Sequence, residues 1–89
     1  MDPLTGRINW PTVLKVEAFE GPRTKLDELY VERAKNGYFS PDQYEEVREQ
    51  TTAMMGQLRG VASQLSSTDS IAARKFIESL AYEASVQQG

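Results

Sequence analysis

Residues 40–65 read SPDQYEEVREQTTAMMGQLRGVASQL and carry the strongest helix signals in the chain. The first four residues form a capping box, in which the hydroxyl of Ser40 accepts a hydrogen bond from the backbone N–H of Gln43. The proline between them suits the first position of a helix, because its missing N–H has no partner to lose there. These signals predict that a helix begins at residue 41.

Apolar side chains follow that cap at alternating steps of three and four residues. The positions of this heptad pattern are Tyr44, Val47, Thr51, Met54, Leu58, Val61 and Leu65. Such a pattern is typical of a helix that packs along one stripe in a bundle. We therefore predict one long helix over 41–65, with Met54 in the core. Met55 lies at the edge of the stripe, where it serves either the core or an adaptable binding surface.

Two further helices are predicted on either side of the long one. Leu26 and Tyr30 share a stripe that ends before Gly37, a residue that takes the left-handed cap conformation without strain, which indicates a helix over 22–35. Ser66 or Ser67 caps another helix over 67–85. Its inner face is formed by Ala73, Phe76, Ile77, Leu80 and Ala84. Ile71 and Tyr82 fall on the opposite side of that helix and need a separate explanation.

The short loops make neighbouring helices antiparallel, so the predicted fold is an all-α, antiparallel three-helix bundle that forms a single domain over 1–89. At ~1.5 Å per residue, the helix over 22–35 spans roughly 21 Å and the helix over 41–65 roughly 37 Å. The helix over 22–35 is therefore too short to cover the whole of the long helix, and another segment must pack against the far end. A loop over 1–9 and a short helical segment over 11–16 precede the bundle, and we expect this segment to supply that cover.

Trp10 precedes Pro11 and is the only tryptophan. We expect it to pack near Leu58, Val61 and Ile71 of the same chain. The alternative is an exposed anchor for a partner, since tryptophan is enriched at binding hot spots.

Composition limits the chemistry. The chain has 89 residues, no cysteine, no histidine and a net charge of −3. Thiolate metal sites, thiol nucleophiles, imidazole ligands and Ser-His triads are therefore excluded. The acidic balance argues against nucleic acid as a partner, and no apolar run is long enough for membrane insertion. We predict no enzyme activity, no catalytic, cofactor-binding or metal-binding residue, and no cofactor.

Each of three charged features allows two interpretations, a binding site or an ordinary role in packing or at the surface. Glu45 and Glu49 lie one helical turn apart, as in paired-carboxylate metal sites, but a solvated helix face explains them without a metal. Arg33 is either a buried cation that binds an anion or a side chain whose stem packs while its head reaches water. The adjacent Arg74 and Lys75 are either a phosphate contact or a solvated pair.

Tyr38, Phe39 and Tyr82 form the most informative aromatic group. The antiparallel arrangement brings them to one end of the bundle, where they form either an aromatic cap or an exposed patch that binds a partner. Together with Met55, they are our candidate interaction surface.

Two stretches, GRINWP at 6–11 with Leu14 and ARKFIESLAYEA at 73–84, resemble segments of uncharacterised bacterial proteins that are often predicted to be exported. The resemblance implies no catalytic or binding residue. It does raise the expectation that the chain is a domain of a longer, exported protein. Nothing in the sequence fixes the compartment.

The sequence thus predicts a non-enzymatic helical module. Its role would be contact with an unidentified protein, self-association, or a structural role within a longer protein. The alternative is a regulatory or ligand-binding domain with a pocket between the N-terminal segment and the bundle.

Overall fold

Three packed helices dominate the computed structural model, which describes residues 8–86. They are α1 (Glu20–Asn36), α2 (Pro41–Val61) and α3 (Ser67–Val86). The central helix α2 packs against both of the others. Tyr30 and Arg33 of α1 reach Leu80 and Glu83 of α3, in the same order along both helices, so α1 and α3 run parallel and α2 runs antiparallel to them. The predicted all-α three-helix bundle is confirmed.

The start of α2 follows the capping box. The backbone N–H of Gln43 donates to the hydroxyl of Ser40 at 3.2 Å, and the side-chain oxygen of Gln43 accepts from the N–H of Ser40 at 2.9 Å. The end of α2 differs from the prediction, because the α-helix stops at Val61 and tightens into a 3-10 turn over Ala62–Gln64. Helix ends often tighten in this way. The next residue, Leu65, is extended and carries the chain to α3.

The glycine stop of α1 is also confirmed. Gly37 has a φ of 86°, and its N–H donates to the carbonyl of Arg33 at 2.7 Å. This positive φ requires glycine, because a side chain there would be strained.

The N-terminal segment is not the single short helix predicted over 11–16. It forms two 3-10 turns, Thr12–Leu14 and Glu17–Phe19, because Val16 between them is extended. The first turn packs on α3, and the second packs on α1 and α2. Leu14 and Phe19 are fully buried, so the segment contributes to the core.

Trp10 packs within its own chain, and its described contacts reach α1 and α3. Its ring lies 5.7 Å from that of Phe76, and its indole N–H donates to the carboxylate of Asp27 at 3.2 Å. The backbone N–H of Ile8 donates to the same carboxylate. The segment therefore joins α1 to α3 at this point, and Ile71 stays 46% exposed on another side of α3.

The heptad stripe of α2 lines the core. Val47, Thr51, Met54 and Leu58 are its buried residues. The hydroxyl of Thr51 donates to the carbonyl of Arg48 at 3.1 Å, so the polar member of the stripe is satisfied inside its own helix.

Candidate functional site

The outer face of α3 presents apolar side chains to solvent. Ile71 is 46%, Tyr82 70% and Val86 60% exposed. At the helical repeat of 3.6 residues they align with Lys75 and Glu78, directly opposite the buried face of α3. We call these five residues the α3 stripe. Three of the five exposed large hydrophobic residues among 8–86 belong to it, so exposure of apolar surface is concentrated on this one face.

A shallow groove between α2 and α3 runs beside the α3 stripe. Met55 and Leu58 of α2 and Ile71 of α3 line it, with Arg59 and Arg74 at its edges, and its volume is about 250 Å³. Met55 is half-buried, packs against the core and lines the groove. Ile71 is the residue that the groove and the α3 stripe share.

The charged side chains on and beside the α3 stripe make few ion pairs, and these are weak. The guanidinium of Arg74 lies 3.5 Å from the carboxylate of Glu78, and both side chains are more than half exposed. Such exposed pairs contribute little to stability. Lys75 makes no ion pair with another residue of 8–86. Arg74 and Lys75 therefore remain accessible to a partner, and no bound phosphate or other anion is needed to explain their positions.

A second polar cluster joins α1 to α3 at the other end of the bundle. Arg33 of α1 lies 3.2 Å from Glu83 of α3, with its side chain only 13% exposed. Its guanidinium also lies over the rings of Tyr30 and Phe39, at 5.3 and 5.6 Å from their centres. Of the two alternatives for Arg33, the structure therefore shows the buried cation, and its anion is supplied within the chain by Glu83.

Tyr30 is the buried phenol of this cluster. Its hydroxyl donates to the carbonyl of Leu80 at 3.1 Å. Burial raises the pKa of Tyr30 well above its ordinary value, and the nearby carboxylate of Glu83 raises it further, while Arg33 acts in the opposite direction. The phenol is held neutral by its surroundings and points into the protein, so its role here is structural.

The predicted aromatic cap of Tyr38, Phe39 and Tyr82 does not form. Phe39 is fully buried, and its ring meets Tyr30 edge-on at 5.2 Å. Tyr38 is 51% exposed in the loop before α2, and Tyr82 is exposed on α3. The prediction of an aromatic cap was wrong because Phe39 turns into the core, where Tyr30 and Arg33 cover it. Of the predicted interaction residues, Tyr82 belongs to the α3 stripe, and Met55 lines the groove beside it.

The acidic residues of α2 form a solvated face. Glu45 lies 3.8 Å from Arg48, with both side chains exposed, and Glu46 accepts a hydrogen bond from Gln50 at 3.2 Å. No group of three or more acidic residues in the described part of the chain is placed to hold a metal ion.

Three residues of these clusters were not identified from the sequence. Asp27 and Glu83 act through partners far away in the chain, so no local pattern marks them. Val86 could have been found, because it continues the spacing of Ile71 and Tyr82 on the same helix face.

Comparisons with known proteins identify no relative: no family model, no curated protein and no solved structure matches the chain. The resemblance to exported bacterial proteins therefore stays a prediction. Across residues 8–86, no helix combines the length and the apolar character needed to cross a membrane.

Proposed function

We propose that this chain is a non-enzymatic helical module that works by contact with a protein chain through the α3 stripe. The observation that carries the proposal is the exposure of Ile71, Tyr82 and Val86 along one face of α3. The opposite face of the same helix is buried, and among residues 8–86 the apolar members of the α3 stripe are not part of the hydrophobic core. Apolar surface concentrated in this way is typical of interaction sites.

The composition of the α3 stripe supports the same proposal. Tyrosine contributes a large, rigid contact area with a polar tip, which is why it is enriched at protein interfaces. Ile71 and the half-buried Met55 add an apolar groove at one edge. The charged side chains between the apolar ones are weakly paired and can be recruited by a partner.

The ligand-binding alternative lacks a comparable observation. Leu14 and Phe19 are fully buried where the N-terminal segment meets the helices, so side chains fill that part of the junction. The α2–α3 groove has a volume of about 250 Å³, which is below the usual range of small-molecule sites. The exposed apolar face of α3 therefore supports a protein contact better than the α2–α3 groove supports a small-molecule site.

Photo-crosslinking in cells that make the protein tests this proposal. Benzoylphenylalanine is placed at Tyr82, and the control carries it at Tyr38, an exposed tyrosine in the loop before α2. We expect a defined polypeptide adduct from position 82 and at least tenfold less from position 38. Adding Ile71→Lys to the same chain should remove the adduct from position 82. Equal adducts at both positions, or none at either, would refute the proposal.

A further inference from the structure

We propose that the partner of the α3 stripe is a second copy of this chain, with the two α3 helices packed antiparallel about a two-fold axis between Glu78 and Ser79. The inference rests on the proposed function and adds the identity and orientation of the partner. In this register Ile71 of one copy lies opposite Val86 of the other, and Lys75 lies opposite Tyr82. Every apolar member of the stripe then meets a suitable group, because a two-fold interface pairs the same patch with itself.

The pairing of Lys75 with Tyr82 is central to this register. Lys75 has no ion-pair partner in its own chain among residues 8–86, and Tyr82 is 70% exposed. An ammonium group over a tyrosine ring is attracted by the π-face of the ring. The two-fold symmetry forms this contact twice, once on each side of the axis.

The charges on α3 favour the antiparallel orientation over the parallel one. Arg74 and Lys75 come one turn before Glu78, and Arg74 already lies 3.5 Å from Glu78. In a parallel pair, each cation would lie beside the same cation of the other copy, and the two Glu78 carboxylates would also meet. In an antiparallel pair the two Glu78 carboxylates also meet at the axis, but the cations of the two copies lie apart and flank these carboxylates from both sides, so the antiparallel pair has fewer like-charge contacts than the parallel pair.

The interface is limited to one helix face, so the dimer should be weak. A contact formed by about four turns of helix from each copy falls at the small end of specific protein interfaces. We therefore expect a concentration-dependent equilibrium, with mostly single chains at about 10 µM and mostly dimers at about 1 mM, as for a Kd of roughly 100 µM.

Sedimentation equilibrium of the purified chain tests whether the partner is a second copy. The average mass should rise with concentration from 10.0 kDa towards twice that value. Tyr82→Lys should weaken the association at least tenfold, because it removes the ring and places two cations together. Tyr38→Lys is the matched control, since it makes the same change at an exposed tyrosine outside α3, and it should leave the association unchanged. Circular dichroism should show equal helix content in both variants.

Cysteine crosslinking tests the orientation, and the natural chain has no cysteine to interfere. Ser79→Cys places a thiol beside the two-fold axis and should form a disulfide-linked dimer on mild oxidation. Thr68→Cys lies on nearly the same side of α3 and is also exposed. In the antiparallel register its two copies are roughly 30 Å apart, so it should not crosslink.

The two experiments separate the possible failures. Crosslinking of both cysteine variants would show a parallel pair and overturn the register. A chain that stays monomeric up to 1 mM would show that the partner is not a second copy. If position 82 still crosslinks to a different protein in cells, the proposed function stands while this inference fails. If it crosslinks to nothing, both fail.

Discussion

Arg33 shows how a single residue holds two helices together in this chain. Its guanidinium pairs with Glu83 of α3 and lies over the rings of Tyr30 and Phe39, so a cation in the apolar stripe of α1 is compensated on several sides. A buried cation without such partners would be costly. The sequence predicted the position of Arg33 in the stripe, but its anion lies 50 residues away, which no local pattern reveals.

Tyr30 gives this cluster a pH dependence. Because its pKa is raised by burial and by Glu83, the folded chain holds the phenolic proton more tightly than the unfolded chain does. The stability that Tyr30 contributes is therefore complete below about pH 10, where the unfolded phenol ionises, and is lost as the pH rises towards the folded-state pKa. Tyr30→Phe should cost about 1 kcal/mol at pH 7 through the lost hydrogen bond to Leu80.

Urea denaturation of both proteins between pH 7 and pH 11 measures this effect. The difference in unfolding free energy between the natural chain and Tyr30→Phe should shrink above pH 10, because the variant lacks the ionisable group. A difference that stays constant over this pH range would show that the phenol is not buried as described.

At the scale of elements, α2 depends on its first turn. The capping box satisfies two backbone donors, the N–H groups of Ser40 and Gln43, through the side-chain oxygens of Gln43 and Ser40. Ser40→Ala should lower the unfolding free energy by about 1 kcal/mol, since the hydroxyl that accepts from Gln43 is lost. Thermal or urea denaturation followed by circular dichroism measures the change. Ser85→Ala, at an exposed serine in the last turn of α3, is the control and should change stability by less than about 0.5 kcal/mol. Equal effects of the two changes would contradict the role of the cap.

Elements with local signals could be predicted from the sequence, and those held by distant contacts could not. The beginning of α2 and the end of α1 are encoded within four residues, at Ser40 and at Gly37, and both predictions are confirmed. The N-terminal segment lacks such signals, because its shape follows from where Leu14 and Phe19 find space in the core. In the candidate site, the sequence predicted that Ile71 and Tyr82 face outward, but it could not show which residues surround them.

At the scale of the whole molecule, the N-terminal segment and the bundle form one packed unit. Trp10 bonds to Asp27 on α1 and packs on Phe76 of α3, and the following turns bury Leu14 and Phe19. A segment with these contacts cannot detach without exposing core side chains from more than one helix. Small domains with a single core generally unfold in one cooperative transition.

The only tryptophan makes this cooperativity measurable. Trp10 is 9% exposed, so its fluorescence should be blue-shifted and poorly quenched by iodide in the folded chain. In a urea titration, the tryptophan fluorescence reports the N-terminal segment, while circular dichroism at 222 nm reports the three helices. We expect the two transitions to coincide, because loss of the contacts of Trp10 with α1 and α3 removes part of the core that both helices share. A fluorescence transition at clearly lower urea than the circular dichroism transition would mean that the segment detaches first, and that the bundle is stable without it.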